Sequence, residues 1–161
     1  MPTIQPSNHT IRVGCIGLSS IGWGVHILVP ALLNGTNAQT YRLAAVGGRT
    51  IESAKATAES YSKLVGYEVR GIGGADCSEQ MANDPDIDFV IVSVQTPYHK
   101  EVITPVIAAG KAFMLEWPIG GDHATEIADM VRAKNIRHMI GLHNPHIKAL
   151  QKVSFALTYL H

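Results

Sequence analysis

Ile11-Arg12-Val13-Gly14-Cys15-Ile16-Gly17-Leu18-Ser19-Ser20-Ile21-Gly22 is the stretch that decides the fold. A short β-favouring run stops abruptly in a turn of small residues. Over residues 23–33 apolar side chains then recur at helical spacing, and Asn34-Gly35 supplies the stop. A buried strand, a glycine turn and a helix opening on that turn form the start of a β-α-β unit. The helix N-terminus turns free N–H groups and the positive end of its dipole toward the turn, which suits an anion. The dinucleotide pattern for such a turn is G-x-G-x-x-G. Gly17 fills its first position, Ser19 stands at the second and Gly22 at the third. Ser19 offers a hydroxyl to a phosphate but adds bulk at the closest approach, so weakened or lost cofactor binding is one expectation. Ser20 and Ile21 complete the turn, and Trp23 opens the helix, where packing is favoured over covering the cofactor site.

The same alternation continues along the chain. Residues 41–46 read as a second strand, followed by Gly47-Gly48-Arg49. Thr50 is placed to cap a helix running to about Val65, with Gly66 as its left-handed terminator. A third strand is predicted at 67–70, a short helix at 78–82 and a fourth strand at 88–94, whose apolar run suits burial on both faces. Thr96-Pro97-Tyr98 opens a helix that carries Pro105 and stops at Gly110. Strands at 111–115 and 138–142 flank an amphipathic helix at 122–134, with Ile127, Met130 and Val131 on one stripe. Residues 1–10 read as a loose arm and 145–161 as a C-terminal helix. The prediction is an α/β fold of one domain over 11–144: a doubly wound, Rossmann-like parallel sheet of about six strands in the order 3-2-1-4-5-6. A flavodoxin-like order is the alternative topology.

The end of the second strand bears on cofactor choice. A carboxylate there would grip the ribose 2′-hydroxyl of NAD. The sequence instead reads Gly47-Gly48-Arg49-Thr50, and a guanidinium can pair with a 2′-phosphate in bidentate fashion. NADP is therefore favoured over NAD, with a solvated loop charge as the plain alternative for Arg49.

Composition bounds the rest. The chain has 161 residues, 13 Lys+Arg against 13 Asp+Glu, and a formal net charge of zero. Such balance argues against nucleic acid or an anionic membrane as the main partner. Hydrophobic residues at 46% and charged residues at 16% exclude bulk disorder. The longest apolar runs are far below a membrane span, and the first ten residues hold no stretch like a signal peptide. Two cysteines, Cys15 and Cys77, make no disulfide framework, so a reduced, cytoplasmic setting is expected.

Further motifs carry a family resemblance. Ile11-Arg12-Val13-Gly14 with Gly17-Leu18, Gly22-Trp23 and Pro30-Ala31 are joined by Ile91-Val92-Ser93-Val94-Gln95, His99, Glu101-Val102 and Pro105, then Glu116-Trp117-Pro118. Over roughly residues 11–150 the chain resembles the N-terminal domain of the glucose–fructose oxidoreductase / inositol dehydrogenase family. Within it, the chain is most similar to the fungal branch that contains the yeast galactose-regulon repressor. The resemblance implies that Gln95, Thr96, Pro97 and His99 line the nicotinamide-ribose side of a cofactor. It also places Glu116, Trp117 and Pro118 on the family's Glu-Lys-Pro motif, whose lysine sits beside nicotinamide and substrate. Trp117 offers an indole N–H and a stacking face where that ammonium would donate a proton. Relatives continue into a second α/β domain that supplies most of the substrate pocket. The resemblance therefore implies that only the dinucleotide-binding part is present, with homo-oligomer contacts through apolar residues Ile147, Leu150, Val153, Phe155 and Leu157.

Three functions follow as expectations. One is an NADP-dependent oxidoreductase acting on a small-molecule substrate, with Glu116, Trp117 and His99 as candidate catalytic residues. The second is a non-redox isomerase or cyclase that uses the old cofactor cleft as an apolar pocket. The third is a regulatory binding module. His99 at this place is more often a helix-start residue satisfied by backbone than a catalyst. The eight histidines give no zinc pattern: His138, His143 and His146 are near in sequence but no H-E-x-x-H or C-x-x-C occurs, so no metal is expected. Cys15 reads as an inert core residue and Cys77 as a thiol in a polar, exposable loop.

Overall fold

The structure is a computed structural model, and it describes residues 10–18, 29–33, 35 and 37–141. Six parallel strands form one sheet: β1 (Ile11–Ile16), β2 (Tyr41–Gly48), β3 (Arg70–Gly73), β4 (Phe89–Val92), β5 (Ala112–Glu116) and β6 (His138–Gly141). Their order is β3-β2-β1-β4-β5-β6. This is the doubly wound order expected from the sequence, and it excludes the flavodoxin-like alternative. Helices α1 (Val29–Leu33), α2 (Asn37–Thr40), α3 (Ile51–Val65), α4 (Cys77–Asn83), α5 (His99–Ala108) and α6 (Gly121–Lys134) link the strands.

Alternation along the strands builds two cores. Val13, Cys15, Ile91 and Met114 face Val29, Ala58 and Tyr61 on the side of α1 and α3. Ile16, Val90, Val92, Phe113 and Leu115 face Met81, Ile103, Val106, Ile127 and Val131 on the side of α4, α5 and α6. A register shift between Val13 and Gly14, which pair with Leu43 and Ala45, leaves Ala44 as an extra residue in β2. That bulge is why Leu43 and Val46 share one face although three positions separate them.

Local chemistry sets the helix ends. Thr50 caps α3 by accepting the Ser53 N–H at 3.2 Å, and Gly66 ends it at φ 75° with its N–H on Ser62 O. Both ends fall where the sequence put them. Asn135, at φ 51°, ends α6. At the amino ends of the strands, Arg12 reaches both carboxylate oxygens of Asp88 at 2.8–2.9 Å and clamps β1 to the entry of β4. Lys111 donates to Asp84 O and Ile87 O, each at 2.6 Å.

Several boundaries differ from expectation. The third strand lies at Arg70–Gly73, about three residues beyond the predicted 67–70. Gly71 and Gly73 are there because α3 lies against them: a Cβ on Gly73 would stand 2.4 Å from Thr50 O, and one on Gly71 2.7 Å from Ala54 O. β2 runs on through Gly47 and Gly48, two residues beyond the 41–46 stretch that the apolar pattern marks. β4 stops at Val92, although Ser93 still donates its N–H to Ile16 O at 2.9 Å. Thr96–Tyr98 forms a separate 3-10 turn before α5. α2 occupies a stretch the apolar pattern left as loop; none of its residues is buried, so no periodicity marked it. Cys77 is buried at the start of α4 with its Sγ toward Ile72 O at 3.2 Å, not exposed in a polar loop. Cys15 is 1% exposed, and burial pushes its thiol up to about 12. The arm at 1–10 apart from Thr10, the start of the 23–33 helix and the 145–161 helix fall outside the described residues. No described helix is long and apolar enough to cross a membrane.

Candidate functional site

In an open, doubly wound sheet the crevice lies outside the carboxyl ends of the strands, where the strand order reverses. Here that point falls between β1 and β4, which pair directly from Val13–Phe89 to Ile16–Val92. Gly17 leaves β1 at φ 93°, a left-handed value that side chains resist. Its N–H donates to Gly47 O at 3.2 Å. A Cβ at this position would lie 2.3 Å from Ser93 O, so the turn after β1 and the end of β4 touch through backbone. Only glycine meets both conditions. Ser19, Ser20, Ile21, Gly22 and Trp23 lie outside the described residues.

On the β2 side, Arg49 and Thr50 are exposed between β2 and α3. No carboxylate stands at the end of β2, which closes with Gly47 and Gly48. Gly74 N–H bonds Gly48 O at 3.3 Å and joins the ends of β2 and β3.

On the β4 and β5 side, polar groups meet over the apolar sheet. Ser93 Oγ donates to Glu116 Oε2 in a short buried hydrogen bond. Thr96 Oγ1 donates to Pro118 O at 3.1 Å, tying the loop after β4 to the loop after β5. Gln95 and Pro97 are exposed beside it, and so are Trp117 and Pro118. The Trp117–Pro118 peptide is cis. The Trp117 N–H reaches Gly141 O at 3.4 Å, which anchors this loop to β6.

His99 is 1% exposed at the start of α5. Its Nε2 lies 2.8 Å from Val94 O. A carbonyl only accepts, so Nε2 carries the proton and Nδ1 is a bare lone pair; Nδ1 is buried with no partner. Burial lowers the imidazole's basicity, against the Val94 bond and the field of Glu116, which raise it. Of the two arrangements open to His99 in the sequence, the backbone-bonded one is present.

Geometry thus gathers Gly17, Ser93, Thr96, His99, Glu116 and Pro118 at one seam, with Arg49 and Thr50 toward β2. Ser93 did not stand out as a site residue. Its signal was faint: a small hydroxyl side chain breaking an apolar strand at its carboxyl end. Among the described residues, no three His, Cys, Asp or Glu side chains cluster as metal ligands. His143 and His146 lie outside them.

The described crevice fits a dinucleotide: a glycine at the switch point whose place only backbone can fill, with Arg49 directly after the end of β2. Residues 11–143 match the model of the oxidoreductase family with the NAD-binding Rossmann fold. The chain belongs to that family. It is 30% identical over 136 residues to the dehydrogenase aclE of Aspergillus oryzae, a match spanning 82% of this chain and 36% of the relative. Its fold is similar to that of a super-repressor mutant of Gal80p from Saccharomyces cerevisiae, with TM-score 0.71, 24% identity and coverage of 83% and 34%. It is also similar to KijD10, a 3-ketoreductase from Actinomadura kijaniata solved in complex with NADP, with TM-score 0.70, 23% identity and coverage of 94% and 44%. The chain spans between a third and a half of the length of these relatives.

Proposed function

We propose that this chain is the cofactor-binding unit of an NADP-dependent oxidoreductase that acts on a small molecule. The observation that carries the reading is Gly17, held at φ 93° against Ser93 O where the strand order reverses. A bound nicotinamide dinucleotide would supply the hydride donor or acceptor. In this reading the backbone of Gly17 and the turn through Ser19, Ser20, Ile21, Gly22 and Trp23 hold the pyrophosphate. Arg49 pairs with the 2′-phosphate, and Thr50, as the cap of α3, sets the path of the backbone there. Gln95, Thr96, Pro97, Glu116 and Pro118 shape the nicotinamide side, kept in register by the Thr96–Pro118 bond. The similarity to a dehydrogenase and to an NADP-bound ketoreductase supports the reading. Calorimetric titration with NADPH and NADH tests it. We expect saturable binding, tighter for NADPH by about tenfold, as one bidentate phosphate contact supports. Arg49→Glu should erase that difference. No saturable binding of either cofactor removes the reading.

Trp117 favours a second reading, a non-redox or regulatory protein, because an indole cannot deliver a proton as an ammonium can. Turnover or partner binding that persists in the strict absence of nicotinamide cofactor would select it. Homo-oligomerisation through the apolar residues of 147–157 belongs to either reading, and a monomeric mass by light scattering would remove it.

A further inference from the structure

The loop between β4 and α5 is tied down from its own far end. After Ser93, whose N–H still reaches Ile16 O, the chain has no strand to pair with. Val94 O accepts instead from His99 Nε2 at 2.8 Å. Gln95 O accepts the Tyr98 N–H at 2.9 Å, and Thr96 O accepts the His99 N–H. Pro97 fixes its own φ between them. His99 therefore holds this loop twice, once by backbone and once by its ring. The Val94 side chain packs against the core that α5 covers, so the residue bonded to the ring is also held by packing.

Packing alone would not choose a histidine here. The ring is almost fully buried, and its Nδ1 has no partner. A bare polar atom in a core is a cost that an apolar side chain of similar size avoids. What the imidazole adds over such a side chain is the bond to Val94 O. That bond lies away from water, so no solvent molecule competes for it. A dinucleotide laid across a doubly wound sheet puts one mononucleotide on each half. The adenosine ribose falls at the end of β2, so the nicotinamide half falls on the side of β4, β5 and β6, where residues 94–98 stand.

We propose that His99 is a positioning residue for the nicotinamide half of the cofactor: from inside the core it holds Val94 O, and so sets the 95–98 loop in its binding conformation before the cofactor arrives. A loop ordered in advance need not be ordered on binding, and affinity rises by that difference. This rests on the dinucleotide-binding reading above and adds to it the buried residue that governs one half of the ligand. His99 touches no cofactor atom in this role and acts through Val94.

Calorimetric titration with NADP+ and with adenosine 2′,5′-bisphosphate, which carries only the adenosine half, provides the test on wild type, His99→Leu and His99→Gln. His99→Leu fills the buried place without an N–H. It should weaken NADP+ about tenfold, the upper scale of one hydrogen bond's net contribution, and leave the half-cofactor unchanged. His99→Gln, which retains an N–H for Val94 O, should restore most of the NADP+ affinity. A role in stability alone would not split the two ligands in this way. Hydrogen exchange on the wild type gives a readout that needs no variant and decides the matter even where His99→Leu does not fold. The Tyr98 and His99 amides should be protected before any cofactor is added. Equal loss for both ligands in His99→Leu, undiminished NADP+ affinity in that variant, or unprotected Tyr98 and His99 amides in the cofactor-free wild type overturns this inference and leaves cofactor binding intact. Failure of the wild type to bind either ligand overturns the dinucleotide reading and this inference with it.

Discussion

Ser93 Oγ donates to Glu116 Oε2 inside the protein, joining the carboxyl ends of β4 and β5 with one side-chain bond. Both residues are only 9% exposed. Ser93→Ala leaves the buried carboxyl without this partner, and a buried group stripped of its hydrogen bond costs about 2 kcal/mol. Urea unfolding should show that loss in the midpoint with an unchanged slope. A loss below about 0.5 kcal/mol would mean that water reaches Glu116 and replaces the hydroxyl.

His99 sets a second expectation, in pH. Its folded basicity lies below the ordinary 6.5, first through burial. Protonation would turn the bare Nδ1 into a buried donor with no acceptor. The unfolded chain therefore takes the proton first, and stability falls as pH drops through 6.5 toward the depressed folded value. Denaturant titrations at pH 7.5 and 5 should show this decline. His99→Gln, which retains an N–H for Val94 O, should flatten it. An equally steep decline in the variant would assign the effect to other groups.

Gly17 and Gly66 form a matched pair for mutagenesis. Both have positive φ, at 93° and 75°. A Cβ on Gly66 meets nothing within 4 Å, whereas one on Gly17 meets Ser93 backbone. Gly66→Ala should cost about 1 kcal/mol, the left-handed penalty alone. Gly17→Ala should cost about 3 kcal/mol or more, because backbone must also move. Equal costs would show that the β1 turn relaxes away from β4.

Asp84 gives an expectation at the acid end. Burial raises its carboxyl, but the bond from Arg70, the Asp86 N–H and the charges of Arg70 and Lys111 together hold it below the ordinary range. A depressed folded value means that this stabilisation is present above the unfolded value near 3.9 and is lost as pH falls through the folded one. Asp84→Asn should lower stability at pH 7 and make it less sensitive to acid as pH falls below the unfolded carboxylate value. An acid transition identical to wild type would show that Asp84 titrates alike in both states.

Much of this fold is legible in the sequence because hydrophobic burial dictates it. Continuous apolar runs at 89–92 and 112–115 mark strands covered on both faces, and Thr50 and Gly66 mark the ends of α3. Where contact geometry decides, local pattern misleads. The Tyr67-Glu68-Val69 segment looks more like a strand than Arg70–Gly73 does. Yet the latter forms β3, because glycine lets α3 lie on it. The bulge at Ala44 is likewise invisible until β1 and β2 pair. At the site, Gly17 announces itself through its place after the first strand. The Ser93–Glu116 and Thr96–Pro118 bonds join residues 23 and 22 positions apart, and no sequence spacing encodes them.

The sheet is a partition as well as a scaffold. The two buried clusters meet across it through strand backbone, one pressed by α1 and α3, the other by α4, α5 and α6. β1 and β4 supply side chains to both. A molecule seated over the ends of those two strands therefore grips elements that belong to both packing layers. Occupancy there would stabilise both layers at once, so that a rise in melting temperature itself reports whether the seam is filled.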